Sequence, residues 1–471
     1  MPVCFEWNGR QVSLDDVDPH TTLLSWLRSV GATGAKEGCA EGECGACAVA
    51  VLERDGSGRA WYAPVNSCLV PLPALHGRTL LSVEGIAAAS GELHPVQRAL
   101  VERGGSQCGY CTPGFVVSMF CEYYRPGRAG YDPESISGNL CRCTGYRPIA
   151  DAARSLRAPE PDDPWLAQLA RSEPRLPSCA QRSSAHAYLR PSSLAELFAL
   201  WSLHPEATLI AGGTDLMVYV NQQSRRYASF IALDALPELR VLSVNERELR
   251  LGAGVPLAHL EHWIQHVAPA ELGGFSQLLR LFSSRLIRQR ATLGGSLATA
   301  SPIGDAAPLL LALGAELSVA SLAGVRRLPL SGFFRGYRAH ALAAGELIMA
   351  VHVPRPTPRW QRFYKVSKRV LDDISSVAAA FVLDLDASGR VTRFAAAYGG
   401  IAATPLMAVE ITPLAQGRRW DRDTLRVLCD ALAGFGSPLS DARASAAYRA
   451  ALVPRLLEKF YDDTLLPEAR A

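Results

Sequence analysis

The sequence predicts a multidomain α+β protein, and three observations predict it. Two cysteine quartets occupy the first third of the chain. The residues around the first quartet pattern as paired strands and those around the second as helices, and beyond residue 185 helices alternate with strands. A length of 471 residues fits three or four domains, at roughly 100–200 residues each. The expected boundaries are 1–82, 83–157, a linker at 158–184, 185–357 and 358–471.

Composition narrows the partners. The chain is 48% apolar and 20% charged and has no run of about 18 apolar residues, so a globular protein that does not span a bilayer is expected. A net charge of +3 provides no basic field for nucleic acid. Met1 to Trp7 has neither a basic nor an apolar leader region, which makes the cytoplasm the expected compartment. There, twelve cysteines read as ligands before disulfides.

Val3 to Leu14 alternates around Asn8-Gly9, the two-residue hairpin signal, and Thr21 to Val30 places Leu23, Leu24, Trp26 and Leu27 on one helical face before Gly31. Cys39, Cys44 and Cys47 follow with Cys-x4-Cys-x2-Cys spacing, and Cys68 comes after twenty intervening residues, the plant-ferredoxin pattern. Gly38, Gly42 and Gly45 are expected to let this loop wrap tightly and aim N–H groups at sulfur. A zinc ribbon is the competing reading, but it uses paired Cys-x2-Cys knuckles and this quartet has one. Ala48 to Glu53 and Arg59 to Pro64, across Asp55-Gly56, form a second hairpin, so the unit reads as a β-grasp [2Fe-2S] ferredoxin.

From Val83 the pattern turns helical, at His94 to Glu102, Pro113 to Tyr124, Pro133 to Leu140 and Pro148 to Arg157. This all-α unit carries Cys108 and Cys111, then Cys141 and Cys143 after twenty-nine residues. Each pair is expected at a helix terminus, where an N-terminal dipole would favour thiolate. Zinc fits such pairs as well. A neighbouring ferredoxin favours a second iron–sulfur cluster, because one-electron centres must lie close together to relay electrons. Cys4, Cys121, Cys179 and Cys429 read as packing residues. Prolines 159, 161, 164, 174 and 177 mark a linker from Ala158 to Ala180.

Beyond it, Pro191 to Leu203 reads as a helix capped by Ser192 or Ser193, and Ala207 to Ala211 as a strand that opens into Gly212-Gly213-Thr214-Asp215. Thr292-Leu293-Gly294-Gly295-Ser296 and Ala300 to Asp305 precede an apolar helix, Ala306 to Leu313. Both glycine turns suit close approach to a pyrophosphate, and tight structural turns explain them equally well; neither is Gly-x-Gly-x-x-Gly. Arg362 to Lys368, Val377 to Asp386 and Val391 to Ala397 read as strands, and Thr404 to Ile411 and Thr424 to Ala433 as helices.

With both quartets and both turns in this order, the chain resembles the molybdenum hydroxylase family, in the arrangement of the iron–sulfur/FAD small subunits of bacterial xanthine dehydrogenases. The match includes Cys141-Arg-Cys143-Thr-Gly-Tyr-Arg-Pro148 and runs nearly the whole length. The resemblance implies a vanillyl-alcohol-oxidase-type FAD-binding α+β domain and a C-terminal α+β flavoprotein domain. It implies that Leu209, Ile210, Ala211, Gly212, Gly213, Thr214 and Asp215, with Thr292, Gly294, Gly295 and Ser296, wrap the FAD. Asp305, Phe282, Ile348 and Lys365 are implied nearby. Ser296 departs from the Asn often found in related chains, which removes one amide donor. No molybdopterin-binding segment follows in the sequence, so a large partner subunit is implied, in a heterodimer or a dimer of heterodimers. There hypoxanthine and xanthine would be hydroxylated, with no residue of this chain catalysing that step. Electrons would then pass through the Cys108 and Cys39 clusters to FAD and to NAD.

Two other functions fit the same residues: electron transfer for a different molybdenum hydroxylase acting on an aldehyde or N-heterocycle, and redox sensing without turnover. The ten histidines show no metal spacing. The arginines of Ser284 to Arg290 suit a phosphate or a solvated helix face. Asp372-Asp373 suits a turn or the nicotinamide entry.

Overall fold

A computed structural model describes residues 2–55, 58–87, 91–171, 176–183, 185–267 and 271–466. Gly56 of the second hairpin turn, and Pro174 and Ser184 of the expected linker, lie outside the described residues. The chain divides into two compact units, Met1–Pro237 with Ser284–Ala291, and Glu238–Ser283 with Thr292–Ala471.

The first unit begins with a five-stranded sheet in the order Arg10–Leu14, Val3–Trp7, Thr79–Leu81, Ala48–Arg54, Ala60–Asn66. Asn8 and Gly9 both take positive φ, as the predicted hairpin requires. Strand periodicity divides Ala48–Arg54 between two cores. Val49 and Val51 pack with Leu23, Leu27 and Leu80, and Ala48, Ala50 and Leu52 pack with Phe115 and Phe120. The small alanines admit the helix Thr112–Tyr123, which is buried over ten of its twelve residues. That explains why it is largely apolar, with the buried Glu122 paired to Arg125 and Arg285.

Elsewhere in this unit the expected helices form at Leu23–Ser29, Pro95–Glu102 and Arg147–Ser155. Pro133 to Leu140 contributes only a 3-10 turn, Pro133–Ile136, capped by Asp132. The expected linker also carries structure: Pro164–Leu169 is a short helix capped by Asp163, and Cys179–Arg182 is a strand. That strand edges a second sheet, in which Ala187–Arg190, Ser229–Ala232 and Thr208–Ile210 run parallel. Ser193, not Ser192, caps the helix Leu194–Leu203.

The second unit holds an antiparallel sheet ordered Leu242–Val244, Glu248–Gly252, Leu347–Pro354, Glu316–Ser321, Gly324–Pro329. It also holds a four-stranded sheet, Trp360–Val366, Val377–Leu385, Val391–Gly399, Leu406–Met407. Phe381 and Tyr398 from that sheet meet Leu428, Leu457 and Phe460 from the helices Arg422–Ala431 and Ala446–Leu465. Thr404 to Ile411 is not a helix. Leu406 and Met407 pair with Tyr398 and Ala397, so sheet pairing overrides local preference after Pro405, and helix resumes only at Thr412–Ala415. No helix among the described residues is long and apolar enough to cross a membrane.

His94 ties the helical part of the first unit together. Its Nδ1 accepts the Val96 N–H, so Nε2 carries the proton donated to Tyr124 Oη at 2.8 Å, and Tyr124 donates to Asp163. Burial pushes the imidazole down to about 4. The unfolded chain therefore binds a proton first as pH falls below about 6.5, and stability drops between about 6.5 and 4 by about 3 kcal/mol. Denaturant unfolding at pH 7 and pH 4.5 should show this loss, and His94→Asn, which keeps a capping side chain, should remove most of the difference.

Candidate functional site

In the first quartet Cys47 and Cys68 are buried and Cys39 and Cys44 half-buried. The Cys47 and Cys68 sulfurs lie 3.4 Å apart, and Cys44 N–H points at Cys39 Sγ at 3.4 Å. A hydrogen bond from the Cys44 thiol, helped by backbone N–H groups of Glu41, Cys44 and Glu43, pushes Cys39 down to about 5, and Cys44 rises correspondingly. Cys47 is lowered by the same kind of bond from Cys68, whose own thiol is raised. The folded loop thus brings the four cysteines together and favours thiolate, the form that binds metal, at Cys39 and Cys47.

The glycines of this loop divide their work. A Cβ at Gly38 would lie 2.8 Å from Cys44 Sγ, so this glycine leaves room for sulfur. At Gly45 it would instead lie 2.2 Å from the Gly138 carbonyl, and at Gly42 it would meet the side chains of Leu69 and Ile287. These two serve the approach of neighbouring chain rather than room for the sulfurs.

In the second quartet Cys108 and Cys143 are exposed and Cys111 and Cys141 half-buried. The thiols pair as Cys108 with Cys143 and Cys111 with Cys141. Cys108 is lowered, first by the Tyr110 N–H, while burial pushes Cys111 up to about 12. Cys111 occupies the N-cap of Thr112–Tyr123, as expected of a helix terminus. Cys141 and Cys143 do not, because the next helix begins only at Arg147. Thr144, through its N–H and hydroxyl at 3.4 and 3.2 Å, donates to Cys141 Sγ instead.

The two cysteine loops touch. Leu140 N–H donates to the Cys44 carbonyl at 3.0 Å, Asn139 Nδ2 to the Gly45 carbonyl at 3.2 Å, and the Tyr110 hydroxyl to the Glu37 carbonyl. The Gly212-Gly213-Thr214-Asp215 turn leads from the strand Thr208–Ile210 into the helix Leu216–Gln223. A Cβ on Gly213 would be 3.4 Å from the Leu69 carbonyl, one residue past Cys68, and a Cβ on Gly212 would be 1.9 Å from the Arg290 carbonyl. Ile210 and Gly213 are buried, Leu209, Ala211, Gly212 and Thr214 half-buried, and Asp215 exposed.

The arginines of 284–290 follow neither expected role. Arg288 is buried against Glu134, Arg285 meets Glu122 and Asp132, and Arg290 Nε donates to the Gly212 carbonyl at 2.9 Å. They brace the quartet-bearing unit. Asp18, His20 and His186, far apart in sequence, have ligand atoms within 4.8 Å of one another. His20 Nε2 accepts the Tyr227 N–H, so its Nδ1 is protonated and donates to Asp18 at 2.9 Å. That leaves no lone pair for a metal there, and the trio is a satisfied hydrogen-bond network.

In the second unit Thr292 caps the short helix Leu293–Ala298 by accepting the Gly295 N–H, and Gly294 packs on Ala253. Gly295 is exposed and Ser296 half-buried. Lys365 and Asp305 pair with each other at 2.8 Å; Lys365 also donates to the Leu281 carbonyl, and Ser375 Oγ donates to Asp305 at 2.5 Å. Sequence reading misses Ser375, which has no motif. Phe282 is half-buried and Ile348 buried in the strand Leu347–Pro354. Asp373 accepts the N–H groups of Arg369 and Ile374, as a turn residue does.

Four family models match in order. Residues 5–72 match the 2Fe-2S iron-sulfur cluster binding domain and 82–154 the [2Fe-2S] binding domain. Residues 182–356 match the FAD binding domain in molybdopterin dehydrogenase, and 362–464 the CO dehydrogenase flavoprotein C-terminal domain. The chain belongs to the molybdenum hydroxylase family. Within that family it is 33% identical to a xanthine dehydrogenase of Emericella nidulans over 98% of its own length, and 33% identical to one of Drosophila subobscura over 96%. It spans 38% of the length of either relative.

Solved structures similar to this hydroxylase-family chain include a Cu,Mo-CO dehydrogenase, at TM-score 0.55 and 25% identity over 58% of this chain and 94% of that one. Quinoline 2-oxidoreductase of Pseudomonas putida 86 is similar at TM-score 0.54 and 25% identity, over 60% and 99%. Sulfur-only donor sets of four fit the clusters that the family models describe.

The buried Lys365–Asp305 pair provides a stability test. Lys365→Met leaves a buried carboxylate without its cation and should cost about 3–5 kcal/mol in denaturant unfolding. Asp305→Asn with Lys365→Met should recover part of that loss.

Proposed function

We propose that this chain is the electron-transfer subunit of a cytoplasmic xanthine dehydrogenase. It takes electrons released when a molybdopterin-binding partner subunit hydroxylates hypoxanthine or xanthine, and delivers them to NAD. In this reading Cys39, Cys44, Cys47 and Cys68 hold one [2Fe–2S] cluster and Cys108, Cys111, Cys141 and Cys143 the other. Leu209 to Asp215, Thr292, Gly294, Gly295, Ser296, Phe282, Asp305, Ile348 and Lys365 hold FAD. Iron–sulfur clusters carry single electrons and a flavin collects two, which suits the set to hydride delivery.

The observation that carries the reading is continuity within the first unit. Leu140 N–H reaches the Cys44 carbonyl, and Gly213 lies beside Leu69, next to Cys68, so both quartets and one glycine turn stand in an unbroken series. Burial supports the direction. Cys47 and Cys68 are buried, whereas Cys108 and Cys143 are exposed among Tyr110, Leu140 and Tyr146, a surface suited to receiving electrons from another chain. Likeness to xanthine dehydrogenases over nearly the whole chain supports the purine substrate. Likeness to a CO dehydrogenase and a quinoline oxidoreductase favours, as the second reading, the same role for a different hydroxylase.

In the isolated full-length protein, NADH should bleach the flavin absorbance; a flavin that NADH leaves oxidised would contradict delivery to NAD. On partial reduction two distinct [2Fe–2S] paramagnetic signals are expected. Cys108→Ser should abolish one and spare the other, and losing both together would count against two separate clusters.

A further inference from the structure

The helix Leu216–Gln223 ends on two amide side chains that reach into the first cysteine quartet. Asn221 Nδ2 donates to the Ala40 carbonyl and to the Cys68 carbonyl, both at 2.8 Å, and Gln222 Nε2 donates to the Cys39 carbonyl at 2.7 Å. All three acceptors are carbonyl oxygens, so the amide nitrogens must face them. One side chain thereby joins the two segments that carry Cys39 and Cys68.

Ala40 takes φ +56°, a left-handed conformation that a residue with a Cβ keeps only when its surroundings over-determine it. The two amides supply that determination. The Ala40 carbonyl and the Glu41 N–H belong to one planar peptide unit and point in opposite directions. Fixing the oxygen on Asn221 therefore aims the N–H the other way, toward the loop in which Cys44 N–H points at Cys39 Sγ at 3.4 Å, and the Glu41 N–H is among the backbone groups that hold the Cys39 thiol down. N–H groups directed at a cluster's sulfurs stabilise its reduced, more negative state over its oxidised one, and so raise its reduction potential.

We propose that Asn221, seconded by Gln222, is a positioning residue that sets the reduction potential of the Cys39–Cys68 cluster by pinning the Ala40 peptide with its N–H turned onto sulfur. The inference rests on the assignment of a [2Fe–2S] cluster to that quartet. No ligand is added and no atom is transferred; what changes is how readily the cluster accepts its single electron. Because the same helix begins at the Gly212-Gly213-Thr214-Asp215 turn, this contact also couples that turn to the cluster loop.

The test is redox titration of the full chain, followed by electron paramagnetic resonance, with the Cys108 cluster in the same sample as internal control. Asn221→Ala should shift the reduction equilibrium of the Cys39 cluster about tenfold toward the oxidised form, about 59 mV for one electron. Gln222→Ala, which removes a single bond, should shift it less, and the Cys108 cluster should stay in place. Unchanged potentials in both variants would overturn the inference, as would equal shifts of both clusters. If Asn221→Ala fails to assemble its cluster, an unchanged potential in Gln222→Ala overturns it and a selective downward shift supports it. Absence of both signals from the unsubstituted protein would instead overturn the cluster assignment, and this inference with it.

Discussion

The contact between the two cysteine loops, made by the backbone hydrogen bond from Leu140 N–H to the Cys44 carbonyl with those of Asn139 and Tyr110 beside it, is what much of the first unit follows from. It brings main chain against main chain, so no Cβ can stand between. A side chain at Gly45 would strike the Gly138 carbonyl, and one at Gly114 the Gly45 carbonyl, each at 2.2 Å. Beneath them, Ala48 and Ala50 keep the ferredoxin sheet thin enough for the helix Thr112–Tyr123 to lie on it. The burial of that helix in turn fixes Cys111 at its first turn.

The Gly212-Gly213 turn obeys the same rule of close approach at Gly212. Gly212 lies under the Arg290 carbonyl and Gly213 beside the Leu69 carbonyl, while Arg290 returns a hydrogen bond to Gly212. Charge is used differently. Arg78 joins Glu53 of the ferredoxin sheet to Asp234, which follows the parallel strand Ser229–Ala232. Such buried pairs add little net stability but are expensive to break, which suits them to fixing geometry. In the second unit Lys365 and Asp305 have this character, with Ser375 taking up the other carboxylate oxygen.

What was legible in the sequence was local. The cysteine spacings, the Asn8-Gly9 hairpin and the helices of the quartet region depend on neighbours a few residues away, and the family resemblance rested on motifs of the same kind. What was not legible depends on distant partners. Leu406 and Met407 became an edge strand because Ala397 and Tyr398 were there to pair with. The arginines at 285, 288 and 290 looked like a phosphate site or a solvated face until Glu134, Asp132 and the Gly212 carbonyl came into reach. Asn221 and Gln222 carried no motif at all, since only the fold brings them to residues 181 to 183 positions earlier.

The central claim is that one polypeptide carries two one-electron centres and a flavin. Quantifying iron, acid-labile sulfide and flavin in the purified full-length chain tests it most directly. Two clusters of two irons each, with matching sulfide and one FAD per chain, is the predicted result. Zinc in place of iron, iron sufficient for a single cluster, or protein without flavin would contradict it.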